Sequence, residues 1–193
     1  VYLVYLIGKD LISKKTGLIA GILLATSGLH IYYSQEARMY ALTALLVTLS
    51  VYLFVKILKN DRLGDWISFS LSLFLIASTD YVAILIFPIF WIYGLITKQK
   101  FRWFLKLLTS HIILVLFAIA WSPIFLKQLG IGISVNSFSP SWSNLLGTFS
   151  FKNFALIPVK FILGRISFDN KYIYALVVGF ALAIFAYPIT VSF

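Results

Sequence analysis

The chain has no cysteine, a single methionine and a single glutamate, and only 11% of its 193 residues are charged. The lack of cysteine excludes a disulfide framework and a thiolate metal site. The scarcity of charge excludes an ordinary soluble domain, whose surface needs far more charged side chains. The two histidines, His30 and His111, have no metal-ligand spacing and are interpreted as packed side chains.

Apolar side chains dominate what remains: 61% of the residues are hydrophobic and the mean hydropathy is +0.98. Several apolar runs approach the roughly 20 residues that cross a bilayer core of about 30 Å. The sequence therefore predicts an all-α, polytopic transmembrane helical bundle, with about six full or near-full spans after a partial N-terminal one. The predicted spans are 1–8 (partial), 17–34, 39–57, the two arms of 66–97, 105–126, and 172 onward. Residues 1–193 are expected to form one transmembrane domain that is incomplete at both ends.

Positive charge is concentrated in three short loops, although the net charge of +10 covers the whole chain. Residues 9–15, 56–65 and 98–106 hold ten of the sixteen basic residues. Strict alternation of spans places these loops on one side, which the positive-inside rule makes cytoplasmic. Because the charge follows topology in this way, no nucleic-acid partner is predicted.

Three further segments then face outward: the polar run 30–40, the break at Asp80, and an external loop over 127–171. Within that loop, 154–168 mixes apolar residues with Lys160 and Arg165, which is typical of a helix lying in the interface against lipid headgroups. Membrane lipids are therefore expected partners.

The acidic residues divide into two groups. Four are expected to be solvated near the ends of spans: Asp10, Asp61, Asp65 and Asp169. Glu36 and Asp80 remain, both outward and close to the membrane boundary. The block 66–97 has only 32 residues for two spans, so each arm reaches roughly 23 Å. Asp80 is therefore expected below the outer surface, in a water-filled depression or beside a buried cation.

Glu36 and Arg38 are the most informative pair, because ionisable residues beside membrane spans usually line a pathway or a site. If 33–57 were one helix, Tyr33, Glu36 and Tyr40 would share a face, and Arg38 would point about 200° away from Glu36. The planar fork of Arg38 suits a phosphate, and tyrosines offer the flat faces and hydroxyls that line sugar pockets.

A plainer interpretation makes Tyr32, Tyr33 and Tyr40 an interfacial aromatic belt, with Arg38 extending to lipid headgroups. That interpretation does not explain the carboxylate of Glu36. Asp80 has a similar plain alternative, a structural ion pair.

The stretch Tyr33-Ser-Gln-Glu-Ala-Arg-Met-Tyr-Ala-Leu42, preceded by Gly17-Leu-Ile-Ala-Gly21, resembles the GT-C membrane glycosyltransferases. The most similar branch contains the protein mannosyltransferases and the aminoarabinose transferase, in which Tyr-Ser-x-Glu-Ala-Arg-x-Tyr-x-Leu is typical after the third span. A later break in that branch usually reads Thr-His-Tyr, where this chain has Thr79-Asp80-Tyr81. The resemblance covers the whole succession of predicted spans, which would match roughly spans two to eight of the family.

The resemblance implies transfer of a sugar from a polyprenyl-phosphate carrier to a lipid or protein acceptor, on the external face of a multi-pass cell-membrane protein. It implies a catalytic carboxylate in the first external loop, expected before Val1, so residues 1–193 alone are expected to bind membranes without catalysing transfer. The catalytic residues are therefore unknown, and the predicted substrate-binding residues are Tyr33, Glu36, Arg38, Tyr40, Asp80 and Tyr81.

Two alternatives stay open. A transporter or flippase of a lipid-linked anion would also use Arg38 and Asp80, although glycine and proline do not interrupt paired spans as in broken-helix transporters. A membrane protein without chemistry of its own is the other. No cofactor is predicted; Glu36 and Asp80 have oxygens that suit a divalent cation, but two carboxylates do not define a metal site.

Overall fold

The structure is a computed structural model, and it describes residues 1–36, 38–138, 172–173, 175–180 and 183, with backbone only for 135–138. Every regular element in these ranges is helical, which confirms the all-α prediction. The α-helices are α1 (Tyr2–Leu11), α2 (Lys14–Ala25), α3 (Gly28–Gln35), α4 (Tyr40–Asn60), α5 (Leu63–Thr79), α6 (Phe87–Ile96), α7 (Phe101–Ser110) and α8 (Ile112–Phe138). A short 3-10 helix, Val82–Ile86, precedes α6.

Two stretches are long and apolar enough to cross a membrane by themselves: α4, and the nearly continuous run Phe101–Ser134 formed by α7 and α8. A bent pair, α2 with α3, would make a third span. The arms Leu63–Thr79 and Val82–Ile96 are apolar but shorter, as the residue count of the 66–97 block predicted. The chain is thus a helical membrane protein. Residues 139–171, with the predicted interfacial helix and Asp169, lie outside the described residues, and so does most of the predicted last span.

The predicted span 17–34 is not one straight helix, because the helix breaks at Thr26 and Ser27 and bends by 59°. Local side chains satisfy the backbone groups that the break frees. The hydroxyl of Thr26 donates to the carbonyl of Ile22 at 3.0 Å, and the hydroxyl of Ser27 accepts from the backbone N–H of His30 at 3.4 Å. Ser27 is thus an N-cap in a membrane helix, where it starts a new helix axis.

An aromatic core holds α4, α5, α6 and α7 together. The ring of Phe54 lies 4.7 Å from that of Phe90 and 5.9 Å from those of Phe69 and Trp103. Gly94 lets α6 approach this cluster, since a Cβ there would lie 2.5 Å from a ring carbon of Trp103. The core therefore fixes how these four helices pack against one another.

Three ion pairs mark one end of the bundle, here called the basic end. Lys59 reaches Asp10 at 3.6 Å, Lys56 reaches Asp65 at 2.9 Å, and Lys106 reaches Asp61 at 2.6 Å; these six residues define the basic end. The first and third pairs connect the three basic loops, which the sequence had placed on one side.

The expectation that the acidic residues of these loops are solvated is wrong for Asp65, which is only 8% exposed. Asp61 is likewise engaged, accepting from the indole N–H of Trp66 at 2.7 Å as well as from Lys106. Both carboxylates follow closely on α4, so the turn into α5 brings them against basic side chains rather than into water.

Candidate functional site

The predicted site residues lie at the end of the bundle opposite the basic end. Helices α4 and α5 pack against each other and run in opposite directions, so the start of α4 at Tyr40 and the end of α5 at Thr79 share that end. At 1.5 Å per residue, the 21 residues of α4 span about 31 Å and the 17 of α5 about 25 Å. Asp80 therefore lies about one helical turn closer to the basic end than Tyr40 does, and its depth below the outer surface stays a prediction.

The chain between α3 and α4 brings Glu36 and Arg38 together. The helix ends at Gln35, Glu36 is extended with φ −78° and ψ 123°, and α4 begins only at Tyr40. Across this break, Nε of Arg38 lies 3.6 Å from Oε1 of Glu36, and the backbone N–H of Arg38 donates to the carbonyl of Glu36 at 2.7 Å. The prediction that Arg38 points away from Glu36 is wrong, because it assumed one helix through 33–57.

The two charged side chains differ in their exposure. The guanidinium side chain of Arg38 is 64% exposed, whereas that of Glu36 is 27% exposed and its Oε2 is buried without a hydrogen-bond partner among the described residues. A hydrogen bond with Tyr40 and the charge of Glu36 raise the pKa of Arg38 above its ordinary value. The break therefore presents a permanent cation beside a carboxylate oxygen that has no donor in the described part of the chain.

Three tyrosines that flank this pair in the sequence pack on one another. The rings of Tyr33 and Tyr40 meet edge to face with centroids 5.1 Å apart, and Tyr32 meets Tyr33 at 5.2 Å. The contact between Tyr33 and Tyr40 crosses the break instead of following one helix face. Tyr40 is 36% exposed, so part of its ring remains accessible beside Arg38.

Asp80 terminates α5 and starts the next element. Its Oδ1 accepts the backbone N–H of Val82 at 2.9 Å, and its own N–H donates to the carbonyl of Ile76 at 3.0 Å. Within the part of the chain that the structure describes, Asp80 forms no ion pair. Asp80 thus holds the turn that precedes the 3-10 helix, a structural role that the sequence prediction did not include, although Asp commonly forms such turns.

Tyr81 packs on α8 and forms two side-chain hydrogen bonds with it. Its hydroxyl accepts from the indole N–H of Trp121 at 2.6 Å and donates to Oε1 of Gln128 at 3.1 Å. Its ring packs edge to face on Phe125 at 5.4 Å. These three α8 partners were not predicted from the sequence, although their spacing of four and three residues puts them on one helix face.

The six predicted residues thus form two separate groups. Glu36, Arg38, Tyr33 and Tyr40 are one group, and Asp80 with Tyr81 is the other. Among the described residues, no hydrogen bond, ion pair or ring contact joins the groups. No three His, Asp or Glu side chains of the described ranges cluster in the way a metal site requires.

The comparisons with known proteins give one match. A family model described as dolichyl-phosphate-mannose-protein mannosyltransferase matches residues 1–122, which include both groups of site residues. No curated protein and no solved structure matches the chain.

Proposed function

The chain belongs to the dolichyl-phosphate-mannose-protein mannosyltransferase family, and we propose that it transfers a sugar from a polyprenyl-phosphate carrier to a lipid or protein acceptor on the outer face of the membrane. At the level of the family, the protein is a membrane glycosyltransferase with a polyprenyl-phosphate-linked sugar donor. The acceptor class, the face of the membrane and the roles of individual residues are the proposal.

The single observation that supports the site is the exposed guanidinium of Arg38, whose Nε lies 3.6 Å from Oε1 of Glu36. In this reaction the bond from the sugar to the carrier phosphate breaks, and the phosphate leaves with developing negative charge. A cation already held in place stabilises that charge without reorganising during the reaction. Arg38 is proposed to contact the leaving phosphate through its planar fork of donors.

Glu36 is proposed to act in two ways. Through Oε1 it holds Arg38, and through the buried Oε2 it accepts a hydrogen bond from a hydroxyl of the sugar or of the acceptor. A buried carboxylate oxygen without a donor is costly, so a ligand that supplies a hydroxyl there gains affinity. Sugars carry several such hydroxyls.

The aromatic residues are proposed to line the sugar site. Tyr33 and Tyr40 present ring faces beside Arg38, and Tyr81, fixed by Trp121 and Gln128, presents a second aromatic surface at the same end. Asp80 holds the turn that places Tyr81. The general base, an Asp or Glu, is expected in the first external loop that the resemblance implies, and none of these residues is assigned that role.

The outer-face assignment follows from charge: if the basic end is cytoplasmic, the site end is external. Because the 193 residues contain no cysteine, single substitutions can report the side directly. We expect a membrane-impermeant maleimide to label Gln35→Cys in intact cells, and Lys98→Cys only after the membrane is permeabilised. The reverse pattern would contradict the outer-face assignment.

Transfer itself is tested with the purified full-length enzyme and a polyprenyl-phosphate sugar labelled in the sugar. Appearance of label on an acceptor, with release of the polyprenyl phosphate, is the expected result. Movement of intact donor across vesicles without any transfer would instead support a flippase. Family membership favours the transferase.

A further inference from the structure

A cleft of about 310 Å³ lies at the basic end, far from the proposed catalytic face. It runs between α5 and the junction of α7 with α8, and its volume is at the lower limit of the ~300–1,000 Å³ typical of small-molecule pockets. Its lining includes the ion pair of Asp61 and Lys106, here called its mouth because both side chains are partly exposed, and the apolar side chains of Trp66 and Ile67, here called its wall. Nothing in the proposed transfer reaction uses this cleft.

The mouth of the cleft presents an oriented cation. Asp61 accepts from both Lys106 and Trp66, so its two oxygens are engaged, at 2.6 Å and 2.7 Å. Lys106 uses one of its three ammonium hydrogens in that contact and its side chain is 45% exposed. Arg102 precedes Lys106 by four residues and so lies on the same face of α7, one turn away.

The rest of the cleft lining suits hydrocarbon. Its three hydroxyl groups donate to backbone carbonyls: Ser70 to Ser110 at 2.6 Å, Thr109 to Lys106 at 2.9 Å, and Ser110 to Leu107 at 2.7 Å. None of these hydroxyls has a hydrogen left for a ligand. Ile67 is 61% exposed on the wall of the cleft, which is apolar surface without a partner in the described structure.

Charge complementarity identifies the occupant. The three basic loops carry ten basic and three acidic residues, a surplus of seven positive charges at this end. Clusters of basic residues beside membrane helices attract anionic lipids. A ligand that joins a phosphodiester to an acyl chain matches both the mouth and the wall.

We propose that this cleft binds one anionic phospholipid, with its phosphodiester at Lys106 and Arg102 and one acyl chain along Ile67 and Trp66. The site lies on the seam between α5 and α7, so the lipid bridges two helices of the bundle. This proposal does not depend on the transferase assignment.

The test uses the purified protein in detergent, with phosphatidylglycerol and phosphatidylcholine titrated separately and bound lipid counted by native mass spectrometry. We expect phosphatidylglycerol to bind at least about five-fold more tightly than phosphatidylcholine. Lys106→Gln should remove most of that preference. Lys9→Gln, an equal loss of charge at the same end but outside the cleft, should change affinity by less than about two-fold.

Ile67→Trp leaves the ion pair of Asp61 and Lys106 intact but fills the cleft. It therefore tests the contribution of the cleft's volume to lipid binding separately from that of its charge. It should weaken phosphatidylglycerol binding as much as Lys106→Gln does, and it decides the matter if Lys106→Gln does not fold. Equal binding of the two lipids, or equal effects of Lys9→Gln and Lys106→Gln, would overturn the proposal. So would displacement of the lipid by glycerol 3-phosphate, which would indicate a site for small phosphates.

Discussion

Nε of Arg38 lies 3.6 Å from Oε1 of Glu36, in the non-helical segment between α3 and α4. This segment lies at the end of the bundle opposite the basic loops. The arrangement leaves the cation mostly exposed and the second carboxylate oxygen buried without a donor among the described residues. One side chain is therefore available to an anion and the other to a hydroxyl. A lipid-linked sugar phosphate carries both groups.

Glu36→Gln should lower kcat by about ten-fold in the full-length enzyme, because the amide keeps the shape of the side chain but loses the charge that holds Arg38. Steady-state kinetics with a polyprenyl-phosphate sugar measure this. Asp10→Asn, which removes a paired carboxylate at the basic end, is the control and should retain turnover. An unchanged kcat in Glu36→Gln would show that the pair does not contribute to transfer.

Two variants of Asp80 distinguish a structural role of this residue from a chemical one. Asp80→Asn keeps an oxygen that can accept from Val82, so its melting temperature should match that of the parent, whereas Asp80→Ala should lose about 0.5–1.5 kcal/mol with that hydrogen bond. If Asp80 only holds this turn, Asp80→Asn also keeps full activity. A stable Asp80→Asn protein without activity would show that the reaction needs the charge.

Gly94 tests the aromatic core. Its added Cβ would lie 2.5 Å from Trp103, which is 7% exposed and enclosed by other rings, so Gly94→Ala should destabilise the protein by about 1–3 kcal/mol. Gly64 has nothing within 4 Å of the same added atom. Gly64→Ala should therefore be neutral or stabilising by up to about 1 kcal/mol. Thermal unfolding in detergent compares the two, and equal effects would contradict the packing described for α6.

Asp61 gives a prediction for pH. Hydrogen bonds from Lys106 and Trp66 lower the pKa of Asp61 below its ordinary value. Its contribution to stability is therefore present above the unfolded pKa of about 3.9 and is lost as the pH falls through the lower folded value. The difference in melting temperature between the parent and Asp61→Asn should be constant above about pH 5 and shrink below about pH 4. Because the side chain is 53% exposed, the difference should be small. A difference that grows on acidification would contradict this account.

Hydropathy and charge predicted most of the architecture. The break at Asp80, the span over 39–57 and the common side of the three basic loops were all visible in the sequence, because each depends on the composition of a segment. The bend at Ser27 was not, since the apolar run continues through it and only the capping hydroxyl marks a new helix. Local capping competes with helix continuation, and hydropathy does not register that competition.

Residue type selected the candidate site residues but not their arrangement. Glu36 and Arg38 stood out as charges beside a span, but they meet because α3 ends at Gln35, and helical periodicity does not predict where a helix ends. The pair of Tyr81 and Trp121 is 40 residues apart in sequence, so only the packing of α8 brings it together. Asp65 was predicted to be solvated because the loop sequence does not show that Lys56 pairs with it.

Turnover of Arg38 variants in the full-length enzyme tests whether Arg38 stabilises the leaving phosphate. Arg38→Ala should lower kcat by roughly 10²–10³-fold, as expected for removal of a group that stabilises developing charge, while expression persists. Arg38→Lys should recover little, because a point charge does not replace a planar fork. Arg62→Ala, at the basic end, is the matched control and should turn over normally. Parent-like kcat in Arg38→Ala would remove the residue from the mechanism and contradict the account.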